Sequence, residues 1–476
     1  MPQRRISTPQ GVPGPIREGF ARLKESVGVP EWFPEAVLAE AERAASEVRL
    51  PERDLTDIGF VTIDPPSSTD LDQALFIERS GDGYRVLYAI ADLMSFVVPG
   101  GALDAEAHAR GVTLYAPHER TPLHPDVLAE GAASLLPGQV RPALVWEHTV
   151  DAAGAVTGST VARARVKSRA KLDYAGVQAD LDAGTADEVL VLLREVGQLR
   201  LALEVERGAV SLRVPSQEVS ATGPRRWELS YRAGLPVEDW NAEISLMTGM
   251  AAAQIMLDAG IGILRTLPPA EQWSIDRLRR VAKGLRIRWP GSVTYPEFIR
   301  SLDPADPRHA AMLNASSTLF RGAGYAAFEG EPPEQPLHGA MMAPYAHCTA
   351  PLRRLVDRYV SQICLSVCAG EEVPDWVRAE LHTLPETMAE ALRRSNAYER
   401  GIVGLVEALV LSGRRDETFD ATVIGWDERR DAGEAQLEEP AVQAPLVGDG
   451  VQLGSEVRAV LTEVDLLEGR VQFRVA

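Results

Sequence analysis

At 476 residues the chain is longer than a single hydrophobic core usually supports, so roughly two to four domains are expected. With 45% apolar and 25% charged residues it has the make-up of a soluble globular protein, which excludes a disordered or fibrous chain. The formal net charge of -19 speaks against a wholly basic nucleic-acid binder, yet net charge is a global sum and one basic face can survive within it.

The start, MPQRRISTPQGVPG, carries charge without a following apolar core. No stretch approaches the ~18 uninterrupted apolar residues of a membrane span, so a cytoplasmic, unanchored protein is expected. Residues 13 to about 48 predict two helices: PIREGFARLKESVG stops at a glycine, and PEWFPEAVLAEAERAASEV begins beside proline and repeats its apolar positions helically. This module, placed at 1–52, is either a packing appendage or a helix-turn-helix or winged-helix element. From Asp57 the texture becomes β-rich, with GFVTIDP, QALFIER, YRVLYAIADL, VRPALVWEHTVD and GSTVARARVKSRAKLDY as strands. From about residue 185 helices predominate, including ADEVLVLLREVGQLRLALEVERG, WNAEISLMTGMAAAQIMLDAG and RLVDRYVSQICLSVCAG. Sheet and helices segregated in this way make the class α+β. Short strands return after a boundary near Gly413, with the size and texture of an OB-type barrel over 413–476. The three cysteines, Cys348, Cys364 and Cys368, form neither a disulfide framework nor a zinc-type pair; Cys364 and Cys368, four apart on one helix face, are read as core.

The most informative run is GFVTIDPPSSTDLDQALF. Asp64 follows a strand, PPSST supplies a turn, and Asp70 and Asp72 return two more carboxylates. The arrangement is either a polar turn or a cluster of hard oxygen ligands for Mg²⁺, with Mn²⁺ the alternative, of the kind used in phosphodiester hydrolysis. Farther on, Arg163, Arg165, Lys167, Arg169 and Lys171 alternate with small or apolar residues, so one strand would carry them all on one face: a charge-guarded edge or a basic stripe.

TIDPPSSTDLDQA resembles the signature of the ribonuclease II (RNB) family, a TID strand followed by DxDDA. Asp64, Asp70 and Asp72 match three of its four acidic positions, and Gln73 stands at the fourth. The resemblance implies that these four residues hold the metal, with Gln73 offering a carbonyl oxygen but no charge, and that Asp72 is catalytic. YAIADLMSFV and the long segment ALDAEAHARGVTLYAPHERTPLHPDVLAEGAASLLPG follow in family order, with Tyr115 where the family stacks an aromatic on a base. YAHCTAPLRRLVDRYVSQ resembles YTHFTSPIRRYPDLIVHR, matching at His347, Thr349, Pro351, Arg353, Arg354 and Asp357, while Leu355 and Ser361 depart from it. The likeness implies that Arg353 binds the scissile phosphate through its guanidinium fork. RRSNAYERGIVGLVEAL places Glu399 at a contact to the terminal nucleotide. WNAEISLMTGMAAAQIM resembles another family helix in which Glu243 carries over without a role and Gly249 replaces an asparagine.

Together these imply an RNB-type catalytic domain over 53–412, closed by an RNA-binding barrel. The expected activity is hydrolytic 3′ to 5′ exoribonuclease action on single-stranded RNA by a monomer, extending to 3′-tailed structured RNA, with the basic stripe of Arg163, Arg165, Lys167 and Arg169 on the RNA backbone. Where the family usually carries two cold-shock barrels ahead of the catalytic domain, a short helical module is expected here. Gln73 keeps open a second reading, a catalytically weakened RNA-binding regulator on the same fold, and the acidic total keeps open an unrelated scaffold protein.

Overall fold

The computed structural model describes residues 6–7, 14–117, 119–213, 216–223, 226–232, 234–437, 439–440 and 442–476. Two helices lead. α1 (Arg17–Val27) ends at Gly28, whose left-handed φ of 67° suits glycine and returns its amide to the carbonyls of Lys24 and Glu25. α2 (Glu35–Glu47) begins after Pro34 rather than near Pro30, because Pro34 holds Phe33 out of the helical region.

The chain then builds β1 (Asp54–Leu55), β2 (Val61–Ile63), β3 (Gln73–Ser80) and β4 (Gly83–Ala91). After α3 (Ala102–Arg110) comes a small hairpin of β5 (Leu114–Tyr115) and β6 (Arg120–Thr121), and then β7 (Val140–Val150), β8 (Val156–Lys167) and β9 (Ala170–Leu172). Apart from the small hairpin these strands form a seven-stranded sheet in the order β9-β2-β3-β4-β7-β8-β1. Gly81, at φ 59°, opens the tight turn between β3 and β4. β4 and β7 run through the middle, where Tyr88 pairs with Trp146 and both are fully buried.

Read from sequence, the basic run is one strand; in the structure it is two. β8 pairs with β1, β9 pairs with β2, and only Ser168 and Arg169 lie between them. The two edges of the sheet are therefore successive stretches of the same ribbons, and the sheet curls round toward itself.

Helices cover the sheet. α4 (Glu188–Glu206) and α6 (Leu355–Ala369) both pack on α5 (Pro236–Ala259), while α4 also lies on β3 and α6 on β8. At Gly249 on α5 a Cβ would come within 2.2 Å of the Tyr345 ring and 2.6 Å of the Ala346 carbonyl oxygen, so only glycine lets that loop lie against the helix. Cys364 is buried, but Cys368 is exposed, which corrects its reading as core: the last turn of α6 runs past the packed layer before ending at Gly370.

α7 (Leu384–Val410) leads to the closing barrel, made of β10 (Thr418–Asp427), β11 (Ala432–Leu437), β12 (Gln443–Val447), β13 (Glu456–Asp465) and β14 (Arg470–Val475). It is closed in the order β10-β11-β12-β14-β13, around an edge-to-face contact of Phe419 with Phe473. α1 lies against α7 and the barrel at glycines: a Cβ on Gly19 would meet Leu405 at 2.4 Å and the Leu466 carbonyl at 2.7 Å, and one on Gly401 would meet Leu23 at 2.3 Å. Among the described residues no helix is long and apolar enough to cross a membrane.

Candidate active site

The first signature segment runs from β2 into β3, with its three carboxylates in the connection between them. The amide of Asp64 donates to the Leu172 carbonyl of β9 (3.0 Å), which fixes the exit of β2. Lys171 donates to the carbonyls of Pro66 (2.7 Å) and Ser68 (2.5 Å) and so supports the loop before Asp70. On the far side Ser134 Oγ accepts from the Leu71 amide (2.9 Å) and donates to the Thr69 carbonyl (2.7 Å). The turn that carries the carboxylates is thus held from both sides.

The second signature segment is ordered by the buried Asp357, which accepts from the Ala350 amide (2.7 Å) and takes both arms of the Arg354 fork (2.9 and 2.8 Å). Its backbone then runs beside the residues before Tyr115: the Thr113 amide donates to the Arg353 carbonyl (3.0 Å) and the Leu355 amide to that of Gly111 (2.9 Å). Sequence-distant Arg353 and Tyr115 are brought together in this way. Tyr115 is near enough to act on the Arg353 charge and is 47% exposed.

The two segments meet at Asp72, which is 6% exposed. One carboxylate oxygen accepts from the Leu352 amide at 2.8 Å; the other lies 3.4 Å from Arg353 Nε. Burial pushes the Asp72 carboxyl up to about 7 against the pull of Arg353, and burial pushes Asp64 up to about 6; the charge of Asp70 raises both. Burial pulls the Arg353 guanidinium down, and the charge of Asp72 together with Tyr115 and Asp357 more than offsets it, so the group is held above its ordinary value.

Asp70 faces Arg120 at 2.7 Å, and Arg120 also pairs with Glu130. Among the described residues no group of three or more histidine, cysteine or acidic side chains stands as a ready metal cage. The donor set still suits a hard dication: Asp64 and Asp72 are desolvated carboxylates that repel Asp70, a strain a divalent cation relieves. Gln73 does not join them. Its amide nitrogen donates to the Thr349 carbonyl (2.5 Å) and its oxygen accepts from Tyr88 (2.6 Å), so both ends are engaged inside the protein.

The remaining candidates are scattered. Glu399 lies on α7 with Ser395 Oγ at 3.4 Å, and α7 touches β5. Arg163 pairs with the buried Asp92 (2.8 Å), Arg165 with Asp54 (2.8 Å) and Arg169 with Asp187 (2.7 Å), while Lys167 is exposed. The stripe keeps its outward face across the bend, but three of its charges are met by carboxylates of the chain itself. His347 bonds Tyr325 (2.7 Å), away from the acidic cluster. Sequence reading passed over Arg120, Tyr88, Lys171 as a loop support, and the Leu352 amide. Arg120 stands only five positions beyond Tyr115, but nothing in the pattern around it marks it out.

A curled sheet bearing three carboxylates where β2 ends and β3 begins, faced by an arginine loop and followed by a five-stranded barrel, is the frame of a ribonuclease II-type fold. Residues 52–369 match the RNB domain and residues 417–476 the RNase II-type exonuclease C-terminal S1 domain, and the chain belongs to the RNB family. It is 30% identical over 367 residues to the ribonuclease R of Escherichia coli (strain K12), a match covering 72% of this chain and 44% of that protein. It is 26% identical over 470 residues to the exoribonuclease 2 of Proteus mirabilis (strain HI4320), covering 90% and 70%. The chain therefore spans under half the length of that first relative. Among solved structures, Mycoplasma genitalium RNase R in complex with ribose methylated single-stranded RNA superposes with a TM-score of 0.81 at 18% identity, covering 96% of this chain and 77% of that one. Yeast Ssd1, a pseudonuclease, gives 0.65 at 16%, covering 87% and 52%. At these identities the likeness speaks for the fold.

Proposed function

We propose that the protein is a hydrolytic 3′ to 5′ exoribonuclease that removes 5′-mononucleotides from single-stranded RNA. The observation that carries this reading is the meeting of Asp72 and Arg353, from the two signature segments, beside the exposed Tyr115. Asp64, Asp70 and Asp72 would hold Mg²⁺, or Mn²⁺ in its place, with Asp70 exchanging Arg120 for the cation. A divalent ion bound there supplies Lewis acidity toward the attacking water and the departing oxygen.

The chain's own residues do the rest. Arg353 offers a planar fork to the scissile phosphate, and beside Asp72 its side chain is still 38% exposed. Tyr115 stacks on a base and sets the terminal phosphodiester against Arg353. Water attacks phosphorus, the bond to the penultimate 3′-oxygen breaks, that oxygen takes a proton, and a nucleoside 5′-monophosphate leaves. Glu399 on α7 is kept as a contact to the terminal nucleotide, and Lys167 as a backbone contact. The division into 1–52, 53–412 and 413–476 goes with this reading, with RNA guided by the barrel and a 3′-tailed duplex as a further substrate.

The test is a 5′-labelled RNA oligonucleotide incubated with Mg²⁺, with Mn²⁺ and with EDTA. A ladder shortening one nucleotide at a time, absent in EDTA, is the expected result. Endonucleolytic fragments, or activity that survives chelation, would overturn the assignment.

A further inference from the structure

We infer that Gln73 is a positioning residue that ties the two signature segments together and keeps Arg353 in register with Asp72, and that it is not a metal ligand; this rests on the hydrolytic reading above. The Thr349 carbonyl can only accept a hydrogen bond, so the nitrogen of the Gln73 amide must face it and the oxygen must face Tyr88. The Tyr88 hydroxyl is buried, and burial keeps it protonated and hence a donor. Thr349 is anchored in turn through its hydroxyl to Ser245 on α5 (2.7 Å).

Asp72 and Gln73 are successive residues, and they grip the same loop at Leu352 and at Thr349. Arg353 follows Leu352 directly, so the guanidinium is carried by a loop held at two points. A carboxylate at position 73 could not replace this tie. Aspartate is one methylene shorter, and glutamate, of equal length, would set an acceptor against the carbonyl of the buried Thr349, leaving two oxygens in repulsion with no donor between them. The acidic position of the resemblance has here become a donor, and three carboxylates remain for the cation.

The experiment uses the full chain and its Gln73→Glu, Gln73→Asp and Tyr88→Phe variants, the last removing a single hydroxyl so that at least one variant folds. Three readouts are taken: hydrolysis of labelled single-stranded RNA split into kcat and KM, Mn²⁺ binding to the RNA-free protein by calorimetry, and hydrogen exchange of the 349–353 amides. The tie predicts that both Gln73 variants lose about tenfold to a hundredfold in kcat with KM nearly unchanged, as a misplaced catalytic group does. It also predicts faster amide exchange at 349–353 in all three variants and no tightening of Mn²⁺ in Gln73→Asp. Tighter Mn²⁺ binding with equal or higher turnover in Gln73→Asp would make the residue a depleted metal position instead. Unchanged kcat and exchange in Gln73→Glu would also overturn the tie. If the unaltered chain does not hydrolyse RNA, the hydrolytic reading fails, and the exchange and Mn²⁺ readouts still decide the tie.

Discussion

At the scale of single residues the site is a compromise between stability and chemistry. Asp72 is buried and its carboxyl is pushed up to about 7, so holding it ionised beside Arg353 costs folding free energy. Asp72→Asn keeps an acceptor for the Leu352 amide and removes that cost. We expect hydrolysis to be abolished, RNA affinity to change little, and the melting temperature to hold or rise; a lower melting temperature in a scanning experiment would contradict this account. Arg353→Lys keeps the charge and loses the fork, so kcat should fall roughly a hundredfold in single-turnover hydrolysis, the scale of losing one transition-state donor, with KM less affected. The acidic residues and Arg353 were legible as candidates because each lies in a short motif that resembles the family's signature, whereas spacing alone left the acidic run open as a polar turn. Arg120, Tyr88 and the Leu352 amide were not, because each acts only after distant segments meet. Gln73 was legible as a departure, but its partners Tyr88 and Thr349 were invisible, and so an engaged amide read as a weak ligand.

At the scale of elements, strands and helices were readable from periodicity, while bends and close approaches were not. The alternation from Arg163 to Lys171 truly reports an outward face, yet alternation says nothing of where a strand changes partner, here at Ser168 and Arg169. Nor does it reveal which outward charges find carboxylates. Gly249 is the converse case: its departure from the family pattern carried no meaning in sequence, and the structure supplies one in the press of Tyr345 and Ala346 on α5. Gly249→Ala must push back the loop that leads into the second signature. A loss of about 1–3 kcal/mol in urea unfolding is expected, the usual range for overpacking a close contact, with kcat reduced as well. An unchanged unfolding midpoint would show that the loop yields freely.

At the scale of the whole molecule, the charge of -19 weakens attraction to RNA phosphates, and internal pairing engages Arg163, Arg165 and Arg169 of the basic stripe. Single-strand binding falls with salt by about 0.7 log unit per neutralised phosphate and log unit of salt. A shallow slope, of magnitude about 2 or less, is therefore expected from fluorescence anisotropy across a salt series; a slope several-fold steeper would mean that the stripe opens to bind RNA. Acid stability mixes opposing groups. Burial, with Arg200 nearby, holds His148 down to about 3, so it is neutral when folded and takes a proton near 6.5 when unfolded. The stability it lends is full above about pH 6.5 and is lost as pH falls toward 3. Asp72, pushed up, runs the other way, so His148 must be read by difference. The stability gap between the unaltered protein and His148→Gln should narrow between pH 6.5 and 4 in urea titrations, and a constant gap would refute it.

The seat of α1 has a consequence for how the chain is made. Leu405 and Leu466, against which Gly19 lies, and Gly401, against which Leu23 lies, leave the ribosome hundreds of residues after α1 itself. Through most of synthesis that helix has no surface to bury its apolar face upon, and an isolated helix so short is marginal in water. A helix made hundreds of residues before its partners is thus among the last to dock, and its docking registers that α7 and the barrel behind it have been completed.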